Sequence, residues 1–134
     1  MIRISLWFLM VLYFLGACLF FFQADLMFAA LNYFPNQLGW FNPIPDAGAS
    51  FWQPLVFSMM LMLVALCWAS LKEPQNTRYF QIHLLSKVIS TAGFFYMFWF
   101  HRHYFAYLAG VLTDGPIALF VYYLLFKTRS STNR

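Results

Sequence analysis

Long uninterrupted runs of apolar residues dominate the chain, and four of them are long enough to cross a membrane. They cover approximately residues 4–22, 51–71, 79–100 and 104–126. About 20 consecutive apolar residues span the hydrocarbon core of a bilayer. Because lipid offers no hydrogen-bond partner to the backbone, each run is expected to be helical. The pattern predicts an all-α polytopic membrane protein, a single four-transmembrane-helix bundle over residues 1–134.

The composition agrees with a chain embedded in lipid. Of its 134 residues, 63% are hydrophobic, 23% are aromatic and 9% are charged. A soluble domain carries roughly 25% charged residues, because its surface faces water. The net charge of +4 does not come from a clustered basic patch, so no nucleic-acid partner is expected. The primary partner predicted from composition is the lipid bilayer.

Lys and Arg residues are concentrated on one side of the predicted spans. Six of them precede the first span, join the second to the third, or follow the fourth: Arg3, Lys72, Arg78, Lys127, Arg129 and Arg134. The other side has only Arg102, between the third and fourth spans. Cytoplasmic loops carry the excess of Lys and Arg. Both termini are therefore predicted to be cytoplasmic, an N-in/C-in topology.

The first loop, residues 23–50, is the longest segment outside the predicted spans. Its first half is apolar and either extends the first helix or bends along the interface, whereas residues 35–46 are rich in turn-forming residues. Trp40 and Trp52 flank its end and are typical of the membrane interface. Two interpretations stay open: the loop rests on the outer headgroups, or it forms a cap over the bundle or a docking surface for a partner.

Two cysteines occur, and one of them lies in a lipobox-like sequence. Leu15-Gly16-Ala17-Cys18 resembles a bacterial lipoprotein processing site, but the apolar run continues through residues 19–22. We therefore expect the first helix to be retained as an anchor. Cys18 and Cys67 are expected at different depths in the membrane, so both are predicted to be free thiols.

The third and fourth spans each contain one charged residue, Lys87 and Asp114. Ionisable groups are costly inside a membrane and are the first candidates for function. The two positions fall at similar depths on antiparallel helices, so the sequence predicts that they pair directly or bridge through water. Ser90 and Thr91 lie within one turn of Lys87 and extend this intramembrane polar centre.

Small residues recur every four positions along the fourth span, at Ala106, Gly110, Asp114 and Ala118. Such a stripe permits close helix packing, so the third and fourth spans are expected to form a tight hairpin. Gly115-Pro116 predicts a kink there, with Thr113 or Asp114 capping the amides that follow. The centre is interpreted either as a structural ion pair or as a proton relay or polar ligand site.

His101 and His103, at the outer turn, are weak candidates for a metal site. Two histidines without nearby Cys, Asp or Glu ligands do not make one, and His83 lies near the opposite end of its span. No nucleophile–base pair, phosphate loop or carboxylate pair is present, so no enzyme activity and no cofactor are predicted. The many aromatic residues are compatible with bound lipid or quinone.

Several segments resemble the DoxX-like group of small four-helix bacterial membrane proteins. The resemblance lies in Trp52 opening the second span, in Lys87-x-x-Ser90, and in Ala106-Tyr107-Leu108-x-Gly110-x-x-x-Asp114-Gly115. It implies a bacterial inner membrane and an accessory role, since some members are subunits of quinone-linked oxidoreductases. No catalytic residue is carried over from the group.

The sequence favours a small accessory subunit that stabilises or anchors a larger inner-membrane assembly together with other membrane subunits. The alternative is a small transport protein, or a lipid- or quinone-binding protein, that uses the Lys87–Asp114 centre.

Overall fold

A computed structural model describes residues 2–44 and 52–132 of the chain. Within these ranges the chain forms five α-helices and no strand: α1 (Ile2–Phe22), α2 (Ala24–Leu38), α3 (Trp52–Lys72), α4 (Thr77–Phe100) and α5 (Phe105–Thr132). Three of them, α1, α3 and α5, are long and apolar enough to cross a membrane. The fold is therefore an all-helical bundle suited to a membrane, as the sequence predicts.

Local sequence explains where two of the helices begin and end. The side chain of Asn76 caps the start of α4 by accepting a hydrogen bond of 3.2 Å from the backbone N–H of Arg78. Gly39 ends α2 in the left-handed region at φ 64°, and its N–H donates to the carbonyl oxygen of Pro35 at 3.0 Å. A residue without Cβ adopts this conformation at little cost, so α2 stops there.

The first loop contains helix α2, which begins in the apolar first half, where a helix is one of the expectations, but continues further than expected. The sequence predicts a turn-rich stretch that begins at Pro35, yet Pro35 lies inside α2 and is buried. The chain leaves the helix at Gly39 instead. Burial of the α2 face that contains Ala24 and Pro35 accounts for this difference, since packing commonly outweighs local turn preference. Residues 45–51 of the predicted loop lie outside the described residues.

The four long helices form two antiparallel pairs. In the α1–α3 pair, Phe21 and Phe57 have ring centroids 4.8 Å apart, and Gly16 lies opposite Met60. In the α4–α5 pair, Lys87 contacts Asp114. The turn between α4 and α5 is short, as predicted, and these two helices pack along their length. The α1–α3 pair contacts the α4–α5 pair chiefly where α3 packs against α4.

The buried core lies at one end of the bundle. Its members come from the first halves of α1 and α4 and the second halves of α3 and α5: Leu6, Leu9, Tyr13, Leu63, Cys67, Phe80, Val121, Leu124 and Leu125. Other large apolar side chains face outward, including Trp7, Phe8 and Leu119. An apolar outer surface is expected of helices in lipid, because helices surrounded by lipid do not need polar side chains facing water.

Helix α2 and the segment after it lie against the turn between α4 and α5. The Phe34 and Phe105 ring centroids are 5.4 Å apart, and those of Phe41 and Phe105 are 5.7 Å apart. The backbone N–H of Asn42 donates to the carbonyl oxygen of His103 at 3.1 Å. Residues 24–44 thus cover the turn between α4 and α5, and we call this segment the cap. These contacts favour the interpretation that the first loop caps the bundle over the one in which it only rests on headgroups.

The two tryptophans predicted at the interface lie on either side of the undescribed segment. Trp40 follows α2 and is 78% exposed. Trp52 is the first residue of α3, and its side chain lies outside the described residues. The exposure of Trp40 agrees with an interfacial position, which stays a prediction.

The side chain of Asn32 in α2 binds the backbone at the far end of the cap, at Ile44. Its side-chain amide donates to the carbonyl oxygen of Ile44 at 3.0 Å and accepts from the Ile44 backbone N–H at 2.8 Å. Replacing Asn32 with alanine is expected to speed hydrogen exchange at the Ile44 amide, because both hydrogen bonds are lost. Hydrogen-exchange NMR or mass spectrometry measures this. The exposed Asn36→Ala variant is the control, and equal exchange in both variants contradicts the prediction.

Candidate functional site

Lys87 of α4 and Asp114 of α5 form an ion pair inside the bundle. The Lys87 Nζ lies 2.6 Å from the Asp114 Oδ1, and the two side chains are 6% and 13% exposed. The Ser90 hydroxyl donates to the other carboxylate oxygen, Oδ2. The pairing predicted from the two helix depths is thus confirmed, with Ser90 as a third partner.

Thr91 lies beside the ion pair but does not bind the carboxylate. Its hydroxyl donates at 2.7 Å to the backbone carbonyl oxygen of Lys87, four residues earlier. Serine and threonine commonly satisfy their hydroxyls in this way within helices. Thr91 also faces Gly115, since its methyl carbon would lie 3.7 Å from a Cβ at that glycine. Its role here is therefore packing between α4 and α5.

The structure adds three residues that sequence reasoning did not assign to this site. The Tyr13 Oη of α1 is hydrogen-bonded to the His83 Nε2 at 2.7 Å. The Cys67 Sγ of α3 lies 4.0 Å from the His83 Nδ1. The Lys87 Nζ stands 4.9 Å from the centroid of the Tyr13 ring, within cation–π range. The site therefore draws a side chain from each of the four long helices.

We use the name polar centre for six residues: Tyr13, Cys67, His83, Lys87, Ser90 and Asp114. Their positions follow from helix periodicity. His83 and Lys87 are one turn apart on the buried face of α4. Tyr13 shares the buried face of α1 with Leu9 and Ala17, each four residues away. The centre lies at the edge of the buried core, where the two helix pairs meet.

The signals for the missed residues are present in the sequence but are weak. Tyr13 is one of 8 tyrosines in a chain that is 23% aromatic, so its type alone does not distinguish it. His83 lies too far along its span to join the two histidines of the outer turn, and it forms one polar row with Lys87 and Thr91. Its four-residue spacing from Lys87 places both side chains on one face of α4. A polar residue on that face calls for a polar partner from a facing helix.

The members of the polar centre satisfy one another. The Asp114 carboxylate offsets the Lys87 charge and accepts from both Lys87 and Ser90. The Tyr13 ring covers the ammonium group, and the Tyr13 hydroxyl pairs with His83. A connected network of this kind fixes the helices in one arrangement, because separating them would leave a buried charge or polar group unpaired.

The Gly115-Pro116 step lies inside α5, which continues as a helix on both sides of it. The Thr113 hydroxyl donates backward, at 2.9 Å to the carbonyl oxygen of Ala109 and at 3.1 Å to that of Gly110. The Asp114 carboxylate binds Lys87 and Ser90. Both side chains are thus engaged in bonds other than the predicted caps, whereas the kink itself stays a prediction.

His101 and His103 lie in the exposed turn between α4 and α5, at the opposite end from His83. They line an open cavity of about 460 Å³ together with Asn42, Pro43, Arg102 and Tyr104. In the described part of the chain, no group of three or more His, Cys, Asp or Glu residues is arranged to hold a metal ion. The two histidines therefore gain no further ligand there, and the guanidinium between them disfavours a cation.

Replacing Tyr13 with phenylalanine is expected to lower the free energy of unfolding by about 1–2 kcal/mol, because buried His83 loses its hydrogen-bond partner. The ring over Lys87 is kept, so the effect reports the hydroxyl alone. Unfolding in detergent micelles, followed by circular dichroism, measures the change. Tyr122→Phe, at a position 57% exposed, is the control. Equal stability of the two variants would show that the hydroxyl bond contributes nothing.

The polar centre holds groups that bind and exchange protons, and it lies between helices rather than at an open surface. Its geometry suits two roles: holding four helices together, or handling a proton or a polar head group within the membrane. Comparison of the chain with protein-family models, with curated proteins and with solved structures gave no match. The choice between the two roles therefore rests on the contacts described above.

Proposed function

We propose that α4 is a fourth transmembrane helix beside α1, α3 and α5. It has 24 residues, enough to cross a bilayer at 1.5 Å per residue. Its polar residues lower its hydropathy, but Lys87 and His83 are buried against other helices rather than exposed to lipid. A short turn joins α4 to α5 and the two pack side by side, so a crossing by α5 carries α4 across as well.

The proposed orientation has both termini in the cytoplasm. Antiparallel pairing brings the start of α1, the α3–α4 turn and the end of α5 to one end of the bundle, with five described basic residues: Arg3, Lys72, Arg78, Lys127 and Arg129. Among the described residues, Arg102 is the single Lys or Arg near the opposite end. The positive-inside rule supports this topology. The resemblance to DoxX-like proteins is our reason for proposing a bacterial inner membrane.

For function, we propose an accessory membrane subunit that stabilises or anchors a larger assembly, of the kind found in quinone-linked electron transfer. The observation that carries this proposal is the internal satisfaction of the polar centre. Lys87, Ser90 and Asp114 bind one another, and His83 binds Tyr13. The groups best suited to chemistry are thus occupied in holding the bundle. The outward faces of the long helices and the cap are then the surfaces that contact other subunits.

Blue-native electrophoresis of the tagged chain, after gentle extraction from its native membrane, tests this function. We expect migration with other polypeptides, identified by mass spectrometry. The same pattern is expected for the Lys87→Met/Asp114→Leu double variant, which keeps a filled interior but has no charge in the centre. Migration of the unaltered chain only as a small homo-oligomer would contradict the proposal.

The second candidate is a small transport, lipid-binding or quinone-binding protein that uses the same centre. The residual 13% exposure of the Asp114 side chain favours it, because part of that side chain is left uncovered by the other helices. Proton flux into vesicles containing the purified chain tests this role. Flux above that of empty vesicles, lost in Asp114→Asn and retained in Asp25→Asn, would support transport. Equal flux in vesicles with and without protein would exclude proton transport.

A further inference from the structure

The cavity at the outer turn has the chemistry of an anion site. Its lining includes Arg102, which carries a guanidinium, the flanking His101 and His103, and Asn42. The six lining residues include no carboxylate. Arg102 is also the single Lys or Arg between residues 79 and 126 other than Lys87, which is buried elsewhere. A guanidinium in such a position is well matched to a phosphate group.

The turn that carries these side chains is held in place by several contacts. The backbone N–H groups of His101 and Arg102 both donate to the carbonyl oxygen of Met97, at 3.2 and 3.3 Å. The carbonyl oxygen of His103 accepts from the N–H of Asn42. Arg102 Nη1 donates to the hydroxyl of Tyr104 at 3.2 Å, which leaves its other N–H groups available for a ligand. The cavity is thus formed before any ligand binds.

An exposed aromatic strip on α4 begins where the cavity ends. The His101 ring packs edge-on against Tyr96, with centroids 5.6 Å apart, and Tyr96 in turn contacts Phe100. Phe95 and Trp99 stack beside them. All four rings of the strip are more than half exposed: Phe95, Tyr96, Trp99 and Phe100. A polar cavity next to an exposed aromatic strip matches an amphiphile with a charged head and apolar chains.

We propose that this cavity binds the phosphate of a phospholipid in the outer leaflet, with an acyl chain along the α4 aromatic strip. Arg102 and the two histidines contact the phosphate, and Trp99 and Phe100 contact the chain. This inference rests on the proposed four-helix topology, which places the end of α4 at the outer headgroups. A phospholipid is favoured over free phosphate because the strip continues from the cavity into the membrane.

The test uses the full-length chain in a non-ionic detergent without phosphate, with Trp99 kept and the other four tryptophans replaced by phenylalanine. Phosphatidylglycerol or diacylglycerol, each brominated near the head end of its acyl chains, is added to quench Trp99 fluorescence. We expect phosphatidylglycerol to quench half of the Trp99 fluorescence at about a tenfold lower mole fraction than diacylglycerol does. The reason is that diacylglycerol lacks the phosphate that accepts a charge-assisted hydrogen bond. Arg102→Gln removes the difference, whereas Lys72→Gln, at the other end, keeps it.

Three outcomes overturn the proposal. Equal quenching by the two lipids shows that the phosphate is not recognised, and a preference that survives Arg102→Gln shows that the cavity is not its site. Full competition by inorganic phosphate assigns the cavity to a free anion.

A second chain that keeps only Trp68 separates this inference from the topology, since Trp68 lies near the opposite end. Quenching of Trp68 without lipid preference at Trp99 rejects the inference alone. No quenching at either position shows that lipid contacts neither helix, which counts against the proposed topology as well.

Discussion

Replacing Asp114 with leucine is expected to lower the free energy of unfolding by about 3–5 kcal/mol, because it leaves the Lys87 ammonium buried without its counter-charge. The two side chains are only 6% and 13% exposed, so solvent screens little of this loss. Ser90 loses its acceptor in the same variant. Unfolding of the purified chain by titration of SDS into mixed micelles measures the change.

The double variant Lys87→Met/Asp114→Leu is expected to recover most of that stability. Replacing a buried ion pair by apolar residues of similar size is often neutral or stabilising. Asp25→Leu, at an exposed position of α2, controls for the removal of an acidic residue. A double variant no more stable than Asp114→Leu, or an Asp114→Leu chain as stable as the parent, would contradict the description of Lys87 and Asp114 as a coupled pair.

Gly110→Val is expected to destabilise the α4–α5 pair by about 3 kcal/mol, at the upper end of the cost of overpacking. A Cβ at this position would lie 2.5–2.7 Å from three carbons of the Phe94 ring, including its Cγ, which cannot swing away easily. The backbone of α5 and the ring of Phe94 therefore need a residue without Cβ here. The same SDS titration measures the loss.

Two other positions separate this steric effect from the general cost of replacing glycine. At Gly93 a Cβ would meet no facing atom within 4 Å, so Gly93→Val is expected to have little effect. In the Gly110→Val background, Phe94→Leu is expected to restore part of the lost stability, because it removes the ring that the new side chain meets. Similar losses in Gly110→Val and Gly93→Val would show that no close approach exists at Gly110.

The sequence predicts the long helices well because membrane burial imposes a strong pattern. Predicted spans 4–22 and 51–71 nearly coincide with α1 and α3, whereas α4 begins earlier and α5 ends later than predicted. Helix α2 is the main departure. Its 15 residues are too few to cross a bilayer, and Pro35 suggests a turn. Its helical state depends on packing against α1 and α5, which a local pattern does not reveal.

The candidate site is predictable to the extent that its residues are rare. Lys87 and Asp114 are conspicuous because charge is unusual within an apolar helix, and their depths on antiparallel helices predict the pair. Tyr13 and Cys67 are residue types that commonly occur in such helices without any polar role. Their part in the polar centre depends on which face of α1 and α3 meets α4, and that is a property of the tertiary fold.

Helix α4 is proposed to cross the membrane and to carry the polar centre within it. Single cysteines introduced at Gln75 or at His103, which flank α4, test this in a Cys18→Ser/Cys67→Ala background. The variants are expressed in cells from which the outer membrane is then removed, so that a reagent reaches the inner membrane. A membrane-impermeant maleimide is predicted to label His103→Cys before the remaining membrane is permeabilised and Gln75→Cys only afterwards. Labelling of both positions from the same side would contradict a transmembrane α4 and the four-helix bundle built on it.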